Sequence, residues 1–315
     1  MLPRPPTRLG LGLAAIARPA YITAGRRVDL GSSRSVDELR RRTQGLLDAA
    51  LALGLRYIDV ARSYGRAEEF LSGWLGLRPD ADVTVGSKWG YEYVGGWRID
   101  APIHEIKDHS LATFVRQSSD SLALLGRRLG IYHVHSATLE TGVLDDEPLH
   151  RALASLRERG VRVGVSVSGP RQTDAVRRAL EIEVDGLPLF TSIQATWNVL
   201  EPSSGDSLAE AAAAGCVVIV KEAVANGRLT SHGEEPGFRV IADRLGLRPD
   251  AVAIAAALAQ PWATCVLSGA VTVEQLASNV SALTVRLDEA VLEELASLAE
   301  PAEDYWAARS ARPWA

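Results

Sequence analysis

The chain is poor in cysteine. Two in 315 residues, Cys216 and Cys265, leave no disulfide framework, and both stand in short apolar runs that suit buried, reduced thiols. No apolar run approaches the ~20 residues of a membrane span. The nearest candidate, Ala251 to Ala259, is a helical alanine run ended by Gln260-Pro261. The start, MLPRPPTRLG, carries prolines where a secretory segment needs an apolar stretch. A cytoplasmic protein without membrane contact is therefore expected. Basic excess is also missing. A net charge of −5 at pH 7 argues against nonspecific nucleic-acid binding. No linker or low-complexity tract breaks the chain, so residues 1–315 read as a single domain. Neither cysteine nor paired carboxylates accompany the histidines at ligand spacing, so no metal is expected.

What is present is alternation. Short β-branched runs at residues 8–14, 56–60, 83–87, 131–135, 162–167, 192–195, 217–220 and 264–267 take turns with helical patterns. The helical segments cover residues 35–53, 67–75, 110–125, 147–159, 171–180, 207–214, 238–245 with 250–259, and 273–282. Repeated strand–helix units imply parallel strands joined by right-handed crossovers. Eight units in a chain of this length fit a closed barrel of roughly 250 residues with insertions. The predicted class is α/β, a (β/α)8 TIM barrel. Gly54, Gly160 and Gly215 each follow a helix, where a left-handed residue is needed. Two segments exceed the minimal barrel. One is a long loop after the third strand, residues 89–109. The other is a C-terminal helix near 288–298 followed by an irregular end holding Trp306 and Trp314.

Barrel enzymes carry their chemistry at the C-terminal ends of strands. Asp59 ends the second strand in YIDVARSYG, Lys88 the third in VTVGSKWG and His135 the fourth in IYHVHSA. Tyr64 follows Asp59 by five residues. A lysine beside a phenol favours phenolate, and an aspartate holds that lysine charged. A histidine can orient a carbonyl oxygen or join a proton relay. Taken singly, each residue has a structural explanation: a cap or turn, a phosphate contact, a core histidine. The coincidence of four suitable types on successive strand ends suits a general acid that protonates a developing alkoxide.

These three segments resemble the catalytic segments of the aldo-keto reductases, read approximately as strand-Asp-x4-Tyr-Gly, strand-Lys and Tyr-x-x-His. The similarity runs from RLGLG near residue 8 to QLASNV near residue 280. It implies a tetrad of Asp59, Tyr64, Lys88 and His135. It also implies a nicotinamide cofactor, NADP first and NAD second, and reversible carbonyl–alcohol chemistry on a small molecule. Gly12 and Leu13 of the first strand segment, and Ser168 with Gly169 in SVSGP, map to cofactor positions. Gln194 in SIQATWNVL maps to the glutamine that holds the carboxamide, and Asn198 to a neighbouring asparagine. The loop KEAVANGRL is similar to the one that wraps the pyrophosphate, which implicates Ala223, Val224, Asn226 and Gly227, with Arg228 as an ionic contact. Gly269, Ala270, Val271, Gln275 and Asn279 in LSGAVTVEQLASNV map to the adenosine end.

Several positions depart from the family pattern. Lys221, also expected at the cofactor, stands where an aromatic ring usually stacks on the nicotinamide, and Glu222 replaces a phosphate-contacting serine. Either Lys221 binds the phosphates, with Trp197 supplying the stack or none present, or cofactor binding is weakened. The positions of Gly269 and Gln275, where many members carry the cation that meets a 2′-phosphate, are uncharged. His133 lies two residues before His135 on the same strand face and reads as a hydrogen-bonded core histidine. Trp89, Tyr91 and Trp97 in the long loop read as a substrate wall for a sugar-like or other polar cyclic carbonyl. The alternatives are a cofactor-sensing regulatory subunit on the same barrel, like the potassium-channel β-subunits, or a non-redox acid–base enzyme. A monomer or weak homo-oligomer is expected.

Overall fold

The computed structural model describes residues 8–314, so the proline-rich start lies outside the described residues. Eight parallel strands close a barrel: β1 (Leu9–Gly12), β2 (Tyr57–Asp59), β3 (Thr84–Trp89), β4 (Leu129–Ala137), β5 (Arg162–Val167), β6 (Ser192–Thr196), β7 (Val217–Lys221) and β8 (Cys265–Ser268). Each strand neighbours the next in sequence, and β1 pairs with β8. The predicted (β/α)8 barrel is therefore observed, with strand limits within a few residues of expectation. Its helices include α1 (Arg26–Leu30), α2 (Val36–Ala52), α3 (Ala67–Gly76), α4 (Leu111–Leu125), α5 (Glu147–Ala154), α6 (Gln172–Leu180) and α7 (Gly205–Ala213). After β7 come α8 (Pro236–Leu245) and α9 (Pro249–Ala259), and after β8 come α10 (Val273–Ser281), α11 (Glu289–Ala296) and α12 (Ala302–Ser310). Ser35, Ser110, Asp146, Thr272 and Asp288 cap five of them by accepting a backbone N–H three residues on. Gly54, Gly160 and Gly215 adopt φ of 86°, 72° and 83°, as a left-handed helix exit requires. No helix among the described residues is long and apolar enough to cross a membrane.

Strand alternation sets which residues fill the barrel. Tyr57, Ile131, Ile219, Cys265 and Leu267 form an apolar layer inside it. Glycines opposite the larger residues make room. A Cβ on Gly86 would fall 1.9 Å from Tyr57 Oη, and one on Gly164 2.4 Å from His133 Cδ2. His133 is fully buried, with Nε2 3.1 Å from Ser192 Oγ. It is the hydrogen-bonded core histidine that its parity suggested. The larger apolar core lies between barrel and helices and includes Leu46, Phe70 and Trp74.

Two segments differ from expectation. The long loop after β3 contains a hairpin, Tyr91–Tyr93 paired antiparallel with Glu105–Lys107. The segment after α11, expected to be irregular, forms a further helix over Ala302–Ser310, while residues 311–314 are irregular as expected. α12 docks Tyr305 and Trp306 onto a satellite core with Leu200, Phe238, Ile241 and Leu295. The aromatic pair supplies the buried area that an otherwise polar helix lacks.

Candidate active site

One step toward the C-terminal ends of the strands, the same inward parity brings polar groups together. Asp59, Lys88, His135, Ser166, Gln194 and Lys221 stand at the rim, on β2 through β7. All but Lys221 are almost fully buried. Lys88 Nζ bonds to Asp59 Oδ1 and to Val60 O at 2.9 Å. Gln194 Nε2 donates to Asp59 Oδ2 at 2.8 Å. The aspartate therefore anchors both neighbours. Tyr64 lies over this group, with Lys88 Nζ 4.8 Å from its ring centroid and the His135 ring edge-on at 5.5 Å. The four residues of the expected tetrad are thus brought together: Asp59, Tyr64 and His135 line a cavity of about 290 Å³ at the barrel mouth, and Lys88 lies behind them, held by Asp59.

The electrostatics differ from expectation in one respect. Burial raises the Tyr64 phenol well above 10, and the Asp59 charge adds to it. The Arg18 guanidinium pulls the other way without reversing the rise; the pKa of Lys88 is itself lowered by burial against the pull of Asp59. Tyr64 is therefore a protonated phenol at neutral pH. His135 falls well below 6.5 through burial and the cations Lys88 and Lys221, so its imidazole is neutral. The β4 ladder shifts register after Val134, and Ser136 takes φ 52°. This bulge aims His135 and Ser136 at the pocket. Lys107 of the hairpin and His109 just after it clamp the bulge: His109 Nε2 lies 2.9 Å from His135 O, and Lys107 donates to Ser136 O at 3.0 Å.

Around the tetrad, the cofactor positions fall along one cleft. Gly12, Ser168, Gln194, Lys221, Ala223, Val224, Asn226 and Gly269 line the main pocket. Gly227, Gly269, Ala270, Val271, Gln275 and Asn279 line its continuation. Asn279 fits with its amide turned to donate to Asp250 Oδ2 at 2.8 Å. Leu13 points the other way, fully buried in the barrel–helix core, because it alternates with Gly12. Gly169 lies in the turn that opens α6, with φ 91°. Ser166, two residues before Ser168, has a buried hydroxyl without a partner, as does Gln194 Oε1. Strand parity could have singled out Ser166.

Other expectations are corrected by packing. Trp197 faces outward against Trp262 and does not line the pocket, since it alternates with Thr196. Arg228 pairs with Glu235 and Glu300 rather than the cleft. Asn198 braces the backbone, donating to Glu222 O at 3.1 Å and Tyr305 Oη at 3.0 Å. Among the loop aromatics only Tyr91 lines the main pocket, its ring centroid 4.9 Å from that of His135. Trp89 is buried against Phe114 and His109 behind β3. Trp97 packs on Phe70 and bonds Arg34 O at 2.7 Å, outside that pocket. The pocket wall also includes Glu105 of the long loop and Trp314 of the C-terminal end, and the part that sequence reasoning missed is Arg18, Tyr21 and Arg309. Arg18 is nearly unexposed, pairs with Glu105 at 2.6 Å and lies over the rings of Tyr21, Tyr64 and Trp314. Trp306, the other tryptophan of the C-terminal end, does not line the pocket but is buried, with its ring centroid 6.0 Å from Lys221 Nζ.

The family model for the aldo/keto reductase family matches residues 27–300. The chain belongs to the aldo/keto reductase family. Its members are oxidoreductases that generally use nicotinamide cofactors. This aldo-keto reductase is 25% identical over 272 residues to the uncharacterized oxidoreductase YqkF of Bacillus subtilis, covering 78% of this chain and 84% of that one. Solved structures share the fold. An aldo-keto reductase from Bacillus halodurans, in its holo form, superposes with a TM-score of 0.66 at 21% identity over 94% of this chain and 93% of that one. A Pseudomonas aeruginosa protein described as an aldo-keto reductase gives 0.63 at 23% identity over 88% and 90%.

Proposed function

We propose that this aldo-keto reductase interconverts a carbonyl and an alcohol on a small polar substrate, with Tyr64 as the proton donor and a nicotinamide dinucleotide in the cleft. The observation that carries the reading is the buried group in which Asp59, Tyr64 and His135 line one pocket and Lys88 backs them through its bond to Asp59. The cleft also suits the cofactor. Ser166 Oγ and Gln194 Oε1 are buried acceptors without partners, and an unpaired buried amide oxygen costs ~1–3 kcal/mol. A carboxamide N–H would satisfy them.

When bound, the dinucleotide supplies or accepts the hydride. The chain's own part is acid–base chemistry and positioning. Tyr64, protonated at neutral pH, can give its phenolic proton to an alkoxide forming at a carbonyl oxygen. Neutral His135 can hold that oxygen by an N–H without competing as an acid. The Arg18 guanidinium over the Tyr64 ring favours a phenolate as the proton leaves, while Lys88 packs beside the same ring. Asp59 fixes Lys88 and, through Gln194, the adjoining wall. Arg18, Tyr21, Tyr91 and Trp314 ring the mouth with planar and charged groups that suit a polar substrate of modest size.

NADP was the first expectation from resemblance and NAD the second. The choice turns on the charge at the adenosine end of the cleft. The function is tested by screening aldehydes, ketones and their alcohols in both directions with each dinucleotide. Turnover that consumes the dinucleotide supports the reading. Turnover without any dinucleotide favours a non-redox acid–base enzyme instead.

A further inference from the structure

We propose that Asp29 makes this chain select the nicotinamide dinucleotide that lacks a 2′-phosphate. The inference rests on the nicotinamide reading above. Past Thr23, Val224 and Gly269 the main pocket opens into a second hollow beside α10. Gln275 and Asn279 of α10 line it, and Asp29 of α1 shares it. The Asp29 side chain is only 14% exposed. Gln275 Nε2 donates to Asp29 Oδ2 at 2.7 Å, and His232 Nε2 lies 3.1 Å from Oδ1. Gln275 Oε1 in turn accepts from Val271 N at 2.9 Å. Both ends of the glutamine amide are thus committed, and its donor is spent on a carboxylate. Gly25, at φ 76°, seats the imidazole; a Cβ there would fall 2.3 Å from it.

A fixed carboxylate accepts hydrogen bonds from a ribose hydroxyl but sets like charge against a phosphate. The neighbouring cations do not cancel it. Arg26 turns Nε, Nη1 and Nη2 to the carbonyls of Ala15, Pro19 and Arg18. Arg248 gives Nε to Ser278 Oγ at 2.6 Å and lies 3.3 Å from Asp250 Oδ1, with 60% of its side chain in solvent. Asp250 is a second carboxylate in the same hollow. Solvent screens Arg248 more than the enclosed Asp29.

The test is a fluorescence titration of the full chain with NADH and with NADPH, for the wild type, Asp29→Asn, Asp29→Ser and Arg248→Gln. The wild type is expected to bind NADH at least tenfold more tightly. Both Asp29 variants should narrow the ratio to about threefold or less, mainly by tighter NADPH binding. Arg248→Gln should leave NADH preferred. The inference is overturned if the wild type binds NADPH as tightly as NADH. It is also overturned if a folded Asp29 variant keeps the wild-type ratio, or if NADPH is preferred and Arg248→Gln abolishes that preference. Binding of neither dinucleotide overturns the nicotinamide reading as well; binding of both equally overturns only the role of Asp29.

Discussion

Arg309 of the last helix grips Glu222 at the end of β7 through two hydrogen bonds, 2.8 and 2.5 Å long. Glu222 carries φ 58°, an unfavourable backbone for a non-glycine residue, and its side chain is 8% exposed. Burial alone would raise its pKa, but the charges of Arg309 and Lys221 outweigh it and hold the carboxylate at about 2. The pair fastens α12, and with it the pocket wall at Ser310 and Trp314, to the barrel rim. Replacing Arg309 strands a buried charge. Arg309→Gln should therefore lower unfolding stability by about 3 kcal/mol, the scale of a broken buried pair. It should also raise substrate KM more than it lowers kcat. A denaturant titration and steady-state kinetics check both.

Lys221 stands where an aromatic ring is usual, and its amine is pushed down to about 8. Burial is the main cause, with Glu222 opposing and Arg309 and Lys88 adding to it. Its Nζ donates to Thr196 Oγ1 at 3.2 Å. An ammonium beside an oxidised nicotinamide ring repels it; a neutral amine does not. Binding of the oxidised dinucleotide should therefore tighten several-fold as pH rises from 7 to 9. Lys221→Met should flatten that dependence. Equilibrium titrations at fixed ionic strength measure it, and an unchanged pH profile in the variant would remove Lys221 from the cofactor's surroundings.

Two histidines tie stability to acid. His133 is held at about 3 and His109 at about 4, each chiefly by burial. A folded pKa below the usual 6.5 means that the unfolded chain binds more protons as pH falls. Stability is thus full above about pH 6.5 and is lost progressively toward the folded values. Each histidine should cost about 2 kcal/mol between pH 6.5 and pH 5. Thermal melts should show this fall, and His133→Gln should make it shallower.

The interior glycines carry volume rather than backbone freedom. Gly164→Ala would press a methyl onto the His133 imidazole, and Gly86→Ala onto the Tyr57 ring. Each should destabilise the barrel by about 2 kcal/mol or more, the scale of overpacking in a closed core. Gly45→Ala, which meets nothing within 4 Å on α2, should be neutral or stabilising. Denaturation midpoints of the three variants give the comparison.

The sequence made the barrel legible because period-2 and period-3.6 patterns alternate eight times, and helix-ending glycines mark the joints. Asp59, Lys88 and His135 could be placed because a strand end fixes both position and parity. The same parity points to Ser166 and turns Leu13 and Trp197 away from the pocket. The loop residues were harder. Nothing near Arg18 in sequence announces Glu105, 87 residues on. Trp89 and Trp97 looked like a substrate wall because aromatic content carries no direction. α12 was missed because its face is mostly polar and its stability comes from Tyr305 and Trp306 meeting elements far back in the chain.

The central claim is that Tyr64 is the proton donor of a nicotinamide-dependent carbonyl–alcohol reaction. The most direct measurement pairs dinucleotide titration with turnover for the wild type and Tyr64→Phe. The account predicts that the variant binds the reduced dinucleotide within about threefold of wild type while kcat falls by roughly 10²–10⁴. A wild type that binds neither dinucleotide, or a Tyr64→Phe variant that turns over at the wild-type rate, would contradict it.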